Sequence, residues 1–315
     1  MREFLERANA ENLSYRDLHI ILDALPIPLS WATVPDGKIQ FVNRAFVTLF
    51  GYPEDAFATV EDWIENAYVR HEDRIEARKQ WKSLWTAKSS GISEIDSFEI
   101  EVRCSYGDIR TVQHRGMLLH EINIAIATFD DISERKIMEE KLHRFAFEDT
   151  LTGLANRRML QKFWNERLAS VESSQRISGL LLIDLDGFKA INDRFGHDAG
   201  DDVLVAVAKR LRKNVRIEDL VCRLGGDEFV VLIHENASHE RIPQICWRIE
   251  ASLARPIRGG KGSYTVGASI GASLFPQDGQ DLMELLKRAD EALYRVKREA
   301  KGGWQWFATP AASVR

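Results

Sequence analysis

Residues 220–233 read Leu-Val-Cys-Arg-Leu-Gly-Gly-Asp-Glu-Phe-Val-Val-Leu-Ile. Two β-rich apolar runs flank a glycine pair, which is the pattern of a β-hairpin. Asp227 and Glu228 follow the glycines directly, so two carboxylates stand at the turn. Gly225 and Gly226 lack a Cβ, and another molecule can lie against the backbone there. Adjacent carboxylates repel each other, and a cation between them and an anionic ligand relieves that cost. A solvated turn uses the same residue types, so the hairpin alone leaves both readings open.

The segment upstream favours the cation. Residues 179–183 form an apolar run that predicts a buried strand, and it ends in Asp184-Leu-Asp-Gly-Phe-Lys189. A carboxylate at the C-terminal end of such a strand is well placed for a hard cation. Next comes Ile191-Asn-Asp-Arg-Phe-Gly-His-Asp-Ala-Gly-Asp201, dense in groups that hydrogen-bond base edges and phosphates. Together these runs resemble the GGDEF family of diguanylate cyclases. Asp149-Thr-Leu-Thr-Gly-Leu-Ala-Asn-Arg-Arg158 is similar to that family's opening segment. The resemblance covers residues 149–307, about half of the chain, and several ordered motifs make it far more specific than a lone glycine motif.

The resemblance implies condensation of two GTP molecules into cyclic di-GMP, with release of two pyrophosphates. Each 3′-hydroxyl attacks the α-phosphate of the other nucleotide, so two domains must face each other in a homodimer. In such phosphoryl transfer, positioning and charge neutralisation do most of the work. The family's roles map residue by residue. Asp184 and Asp227 would be metal carboxylates for a pair of Mg²⁺ (or Mn²⁺) ions per site, with the backbone carbonyl of Leu185 completing the shell. Asp227 would also assist deprotonation of the 3′-hydroxyl, and Glu228 would support metal or hydroxyl positioning. Lys189 would neutralise charge during transfer. Asn192 and Asp201 would read the guanine edge, His197 would bind substrate, and Gly225 and Gly226 would let the nucleotide lie on the hairpin. Lys297 and Lys301 would grip phosphate, although for these two and for Lys189 solvated helix charge is the ordinary reading of an isolated lysine. The family pattern after that helix is Gly-Arg-Asn, whereas this chain has Ala300-Lys301-Gly302. Lysine keeps the charge and loses the bidentate fork, which implies weaker triphosphate affinity. Arg216-Ile-Glu-Asp219 resembles the family's inhibitory Arg-x-x-Asp motif and implies product inhibition by cyclic di-GMP; a surface ion pair is its bland alternative.

The first half alternates strands and short helices. Leu29–Thr33 and 38–42 flank Val-Pro-Asp-Gly, 97–104 and Ile109–Leu119 flank Ser-Tyr-Gly-Asp, and 121–129 is a third β run. With Val42-Asn-Arg-Ala-Phe46, Phe50-Gly-Tyr-Pro53, Arg70-His-Glu-Asp-Arg74 and the exit Asp130-Asp-Ile-Ser-Glu-Arg-Lys136, this resembles a PAS sensor domain. PAS cores often enclose a ligand. His71 is a haem candidate set against a loop histidine without haem, His114 and His120 read as surface or packing residues, and Trp31, Trp63, Trp81 and Trp85 read as core filler or pocket lining. Cys104 lacks the flavin-photoadduct motif of light-sensing relatives. The PAS ligand is unreadable from these residues.

The expected organisation is an N-terminal helix over 1–25, a PAS-like domain over 26–130, a helical coiled-coil linker over 131–150 and a GGDEF domain over 151–315. The fold class is α+β: an antiparallel PAS-like sheet, then an antiparallel-rich sheet with flanking helices. Leu18, Ile21, Leu22 and Leu25 make a stripe on the first helix, which docks on the next domain or meets a second chain. Met138, Leu142 and Phe145 make a narrow seam on the linker, suited to a parallel coiled coil between two chains, or to one helix on its own domain.

The 315 residues carry a net charge of -5 with no basic stripe, so a nucleic-acid partner is not expected. The three cysteines, Cys104, Cys222 and Cys246, are widely spaced and fit a reducing compartment. The charged first residues lack a signal-peptide core, and no run reaches the ~18–20 apolar residues of a membrane span. A soluble cytoplasmic protein without a membrane partner is expected. No second catalytic domain built on a Glu-Ala-Leu motif follows the GGDEF segment, so a phosphodiesterase is not expected. Two alternatives to the cyclase stand: a GGDEF module that only binds GTP or cyclic di-GMP, and a cyclase making cyclic GMP or a mixed dinucleotide.

Overall fold

The computed structural model describes residues 14–87, 90–167, 177–234, 237–260, 262–299 and 302–307. The chain divides into two compact units on either side of the Glu140–Lys141 bond.

The first unit opens with α1 (Tyr15–Ala24), whose N-terminus is closed by a capping box between Ser14 and Asp17. Its stripe is only partly covered: Ile21 and Leu22 are half-buried, whereas Leu18 and Leu25 stay exposed. Strands β1 (Leu29–Thr33), β2 (Ile39–Val42), β3 (Ile92–Arg103), β4 (Ile109–Leu119) and β5 (Ile124–Asp131) form one sheet in the order β2-β1-β5-β4-β3. Every pairing in it is antiparallel. Helices α2 (Arg44–Phe50), α3 (Val60–Ala67) and α4 (His71–Ala87) connect β2 to β3. Alternate residues of β5 are buried, the period of a strand with one covered face. The core beneath it is aromatic: Phe46, Phe50, Trp63 and Phe129 meet edge-to-face or tilted, at centroid distances of 4.8–5.9 Å.

Asn43 locks the entry to this unit. It is fully buried and caps α2 through Oδ1, which accepts from the backbone N–H of Phe46 and of Leu29. Its Nδ2 donates to the carbonyls of Leu22, Leu25 and Ile27, which ties the end of α1 to the sheet. Asn43→Ala leaves these groups buried and unpaired. The expected loss in unfolding free energy is roughly 1–3 kcal/mol, read as a lower urea midpoint for the first unit.

Helix α5 (Ser133–Phe147) follows, and none of its residues is buried. Met138, Leu142 and Phe145 are 56%, 60% and 69% exposed, with Ile137 beside them at 52%.

The second unit contains α6 (Arg157–Arg167), β6 (Ser178–Asp186), α7 (Phe188–Phe195), α8 (His197–Lys213), β7 (Leu220–Gly225), β8 (Glu228–Ile233), α9 (Arg241–Leu253), β9 (Ile257–Gly259), β10 (Gly262–Tyr264), β11 (Gly267–Phe275), α10 (Leu282–Glu299) and β12 (Gly303–Trp306). The main sheet runs β12-β11-β6-β8-β7 and is mixed, because β12 joins parallel to β11 while the other pairs are antiparallel. Strands β9 and β10 make a separate small hairpin. β6 is central and buried on both faces, hence its unbroken apolar run. Leu181, Ile183 and Leu185 pack with residues of α7, α8 and α9. Leu180 and Leu182 pack on the other face with Leu160, Phe163 and Trp164 of α6 and Leu285, Ala289 and Leu293 of α10. Gly271 on β11 admits α10 closely, since a Cβ there would overlap the Ala289 carbonyl oxygen.

Candidate functional site

Strand alternation decides where the carboxylates go. Asp184 continues the Leu180–Leu182 series, so it emerges on the α10 face of the sheet, at the end of β6. It stands in register with Glu228 of β8 and with Ser269 of β11. The ladder with β8 ends at this pair, one residue short of Leu185. Asp184 is largely enclosed, and Lys297 of α10 reaches it, with Nζ 2.7 Å from Oδ2.

The β7–β8 hairpin carries the second carboxylate. Gly225 and Gly226 have φ of 148° and 54°, and Gly226 takes the left-handed conformation that favours glycine. Neither would bring a Cβ within 4 Å of another atom, so the turn presents open backbone. Arg223 holds this turn by donating through Nε and Nη2 to the Gly226 carbonyl, at 3.0 and 2.8 Å. Its Nη1 donates to both oxygens of Asp149, at 3.0 and 3.1 Å. Asp149 also accepts from the Thr152 N–H and hydroxyl. Burial pushes the Asp149 carboxyl up, but the Thr152 and Arg223 bonds outweigh it and hold it below the usual range. The segment after α5 is thus tied to the hairpin through Arg223.

Asp227 stands at the hairpin tip, half-buried. Its pKa is raised, first by burial and then by the negative charge of Asp184; Lys297 and Arg223 only partly offset this. Two carboxylates are therefore held against mutual repulsion, with one lysine paired to Asp184 and its charge also felt at Asp227. That arrangement fits a hard cation. Among the described residues no group of three or more His, Cys, Asp or Glu side chains could hold a metal unaided. Substrate phosphate oxygens and water would have to complete the shell, which is the habit of Mg²⁺.

The remaining predicted residues lie on α7, α8 and α10. Lys189 and His197 are exposed, on α7 and at the first position of α8. Asn192 is half-buried on α7, and Asp201 is exposed on α8 across the joint at Gly196. Lys301 and Ala300 lie outside the described residues. Arg216 is exposed before β7, beside Ile217 at 95% exposure. The Asp219 side chain is only 3% exposed and turns inward. It accepts from the backbone N–H groups of Arg216 and His234, at 3.0 and 3.2 Å, and faces Arg241 at 4.0 Å. It shapes the loop that presents Arg216.

Sequence reasoning gave no role to Arg223, Asp149 or Ser269. Ser269 is fully buried, donates to Asp186 at 2.9 Å and accepts from the Gly302 N–H at 3.3 Å, so it joins β6 to the turn after α10. Arg223 and Asp149 were visible as opposite charges inside two motifs, but 74 positions separate them.

The first unit has an internal cavity of about 30 Å³, lined by Phe46, Trp63, Trp81, His114 and Phe129 among others. It has room for one or two waters. His114 is 1% exposed, Nδ1 has no partner, and burial depresses its pKa to about 3. It is a neutral packing residue, whereas His120 pairs with the Ser93 hydroxyl at 2.8 Å. His71 opens α4 at the surface, and nothing is described of the Trp85 side chain.

Comparison with known proteins agrees with this architecture. Residues 146–302 match the family model described as diguanylate cyclase, GGDEF domain, and residues 15–85 match a PAS domain model. An uncharacterized signaling protein of Caulobacter vibrioides is 36% identical over 281 residues, which is 87% of this chain and 33% of that protein. The diguanylate cyclase TpbB of Pseudomonas aeruginosa is 44% identical over 158 residues, covering 50% of this chain and 36% of that protein. A solved structure of TpbB comprising only the GGDEF domain is 40% identical and covered to 94%, against 51% of this chain, with a TM-score of 0.49. The coiled coil and GGDEF domain of DgcB from Caulobacter crescentus, solved with c-di-GMP, is 25% identical, covers 56% of this chain and 93% of that one, and has a TM-score of 0.51. The chain spans 24–36% of the length of the first curated relatives it matches. Among the described residues no helix is long and apolar enough to cross a membrane. A PAS domain followed by a GGDEF domain places this chain in the GGDEF family of diguanylate cyclases.

Proposed function

We propose that the chain is a diguanylate cyclase that joins two GTP molecules into cyclic di-GMP and releases two pyrophosphates. The observation that carries this is the opposed pair Asp184 and Asp227, with Lys297 2.7 Å from Asp184 and open glycine backbone beside Asp227. Asp184, Asp227 and the Leu185 carbonyl would hold Mg²⁺ or Mn²⁺, which would neutralise triphosphate charge and polarise the reacting α-phosphate. Glu228, in register with Asp184, supports that carboxylate set. Lys297 exchanges its Asp184 partner for substrate phosphate, and Lys189 and Lys301 add positive charge along the same ligand. The first turn of α7 has no side-chain cap, which leaves N–H groups for an anion. Asn192 and Asp201 read the guanine, and His197 lies beside them at the start of α8. Asp227 takes the 3′-hydroxyl proton.

One such domain holds one nucleotide, so the α5 seam would bring a second copy opposite it. The PAS unit would pass its signal along that helix to the Asp149–Arg223–Gly226 clamp. Incubation with GTP and Mg²⁺, followed by chromatography of the nucleotides, should show cyclic di-GMP as the product. Bound but unconverted GTP would instead support a receptor, and cyclic GMP a different cyclase.

Product inhibition rests on Arg216, which Asp219 presents to solvent. DgcB was solved with c-di-GMP, which makes that ligand a reasonable one for this family fold. Arg216→Ala should relieve inhibition by added cyclic di-GMP while keeping initial turnover. Equal inhibition in variant and parent would remove this part of the reading.

A further inference from the structure

Gly200 lies in the first turns of α8, beside Asp201, and is buried. Its φ is not in the left-handed region, so the backbone there does not call for glycine. Glycine is one of the poorest helix formers, and alanine would hold the turn better. The explanation is across the helix joint. A Cβ on Gly200 would overlap Oδ1 of Asn192 and lie 2.9 Å from its Cγ, with Phe188 Cζ at 3.2 Å. The Asn192 amide therefore lies against the bare Cα of Gly200. Its Oδ1 is buried with no hydrogen-bond partner. A buried amide oxygen left unpaired in a fixed orientation is costly and calls for an explanation.

We propose that Gly200 is a positioning residue for base recognition: by leaving out a side chain, it holds the Asn192 amide in the orientation that meets guanine. This rests on the reading of Asn192 given above and adds a determinant outside the residues that touch nucleotide. Asn192 and Asp201 sit on different helices, and Gly200 lets α7 and α8 approach closely enough for both to face one base. Substitution at Gly200 would rotate the amide away and leave the metal carboxylates untouched.

The test is a double-mutant cycle on the full chain with Gly200→Ala, Asn192→Ala and the double variant. The readouts are thermal unfolding and Mg²⁺-dependent binding of α,β-methylene GTP, an analogue that cannot be condensed. Each single variant should bind roughly tenfold or more weakly, the scale of one lost recognition bond. The double variant should bind no worse than Asn192→Ala alone, because the overlap acts only through that side chain. Parent-like binding by Gly200→Ala, or fully additive losses, would overturn the inference. If Gly200→Ala fails to fold and the double variant folds, Asn192 is the source of the clash and the inference stands. If both fail to fold, the clash lies elsewhere and the inference falls. If Asn192→Ala binds like the parent, it is the reading of Asn192 that fails, and the inference falls with it.

Discussion

Asp184→Asn and Asp227→Asn should each lower cyclic di-GMP formation by roughly 10²–10³-fold or more, the scale on which loss of one charge-stabilising group slows a reaction. The two side chains sit on neighbouring elements, one near the end of β6 and one on the β7–β8 turn, and Asp227 feels the charge of Asp184. An amide keeps the shape and removes the charge that a divalent cation and a proton need. Folding should not suffer in Asp227→Asn. Burial and the Asp184 charge both disfavour the ionised carboxyl, so the amide relieves a repulsion. In Asp184→Asn the pair with Lys297 is lost, but that lysine is 39% exposed and can turn to solvent. Initial rates set beside thermal melts separate the two effects. Inactive variants with parent-like melting fit the account, and variants that still turn over GTP would remove these carboxylates from the chemistry.

The second large effect concerns α5. Leu142→Glu with Phe145→Glu should abolish self-association and take most of the turnover with it. These side chains are 60% and 69% exposed, and no residue of their helix is buried. Met138, Leu142 and Phe145 recur at four and three residues, which is coiled-coil spacing. Two glutamates per helix would place like charges in the seam. Sedimentation at several concentrations, alongside rate per chain, checks this. The parent's rate per chain should rise with concentration until the dimer saturates, and that of the variant should stay low. A variant that remains monomeric yet fully active would show that one copy suffices.

The fold was readable where the physics is local. The hairpin around Gly225 and Gly226, the buried β6 run and the stripe on α10 each follow from period and turn chemistry within one segment. The boundary of β3 was not, because the polar residues of 92–96 pair with β4 across a register shift that no local pattern announces. Helix α7 was hidden as well. Its eight residues bury only Phe188 and Ile191, and the polar remainder reads equally well as a binding loop. The β9–β10 hairpin is held by Asp202 accepting from Gly260 N–H, 58 positions away. In the site, the two carboxylates were legible from a strand end and a turn, and the fold brings Asp184 and Asp227 within reach of each other's charge, whereas Lys189 lies exposed on a helix where solvated charge is ordinary. Residues that act on other residues were not legible. Arg223 reaches Asp149, Ser269 reaches Asp186, and Gly200 works by what it lacks. At Asp219, a motif position that suggested ligand contact, the carboxylate accepts from the protein's own backbone.

The most direct check on the central claim is a count of products from the full chain at saturating GTP and Mg²⁺. Cyclic di-GMP and pyrophosphate should appear in a ratio of one to two, in step with GTP loss, and chelation of the metal should stop both. A folded, self-associated protein that leaves GTP intact under those conditions would contradict the account.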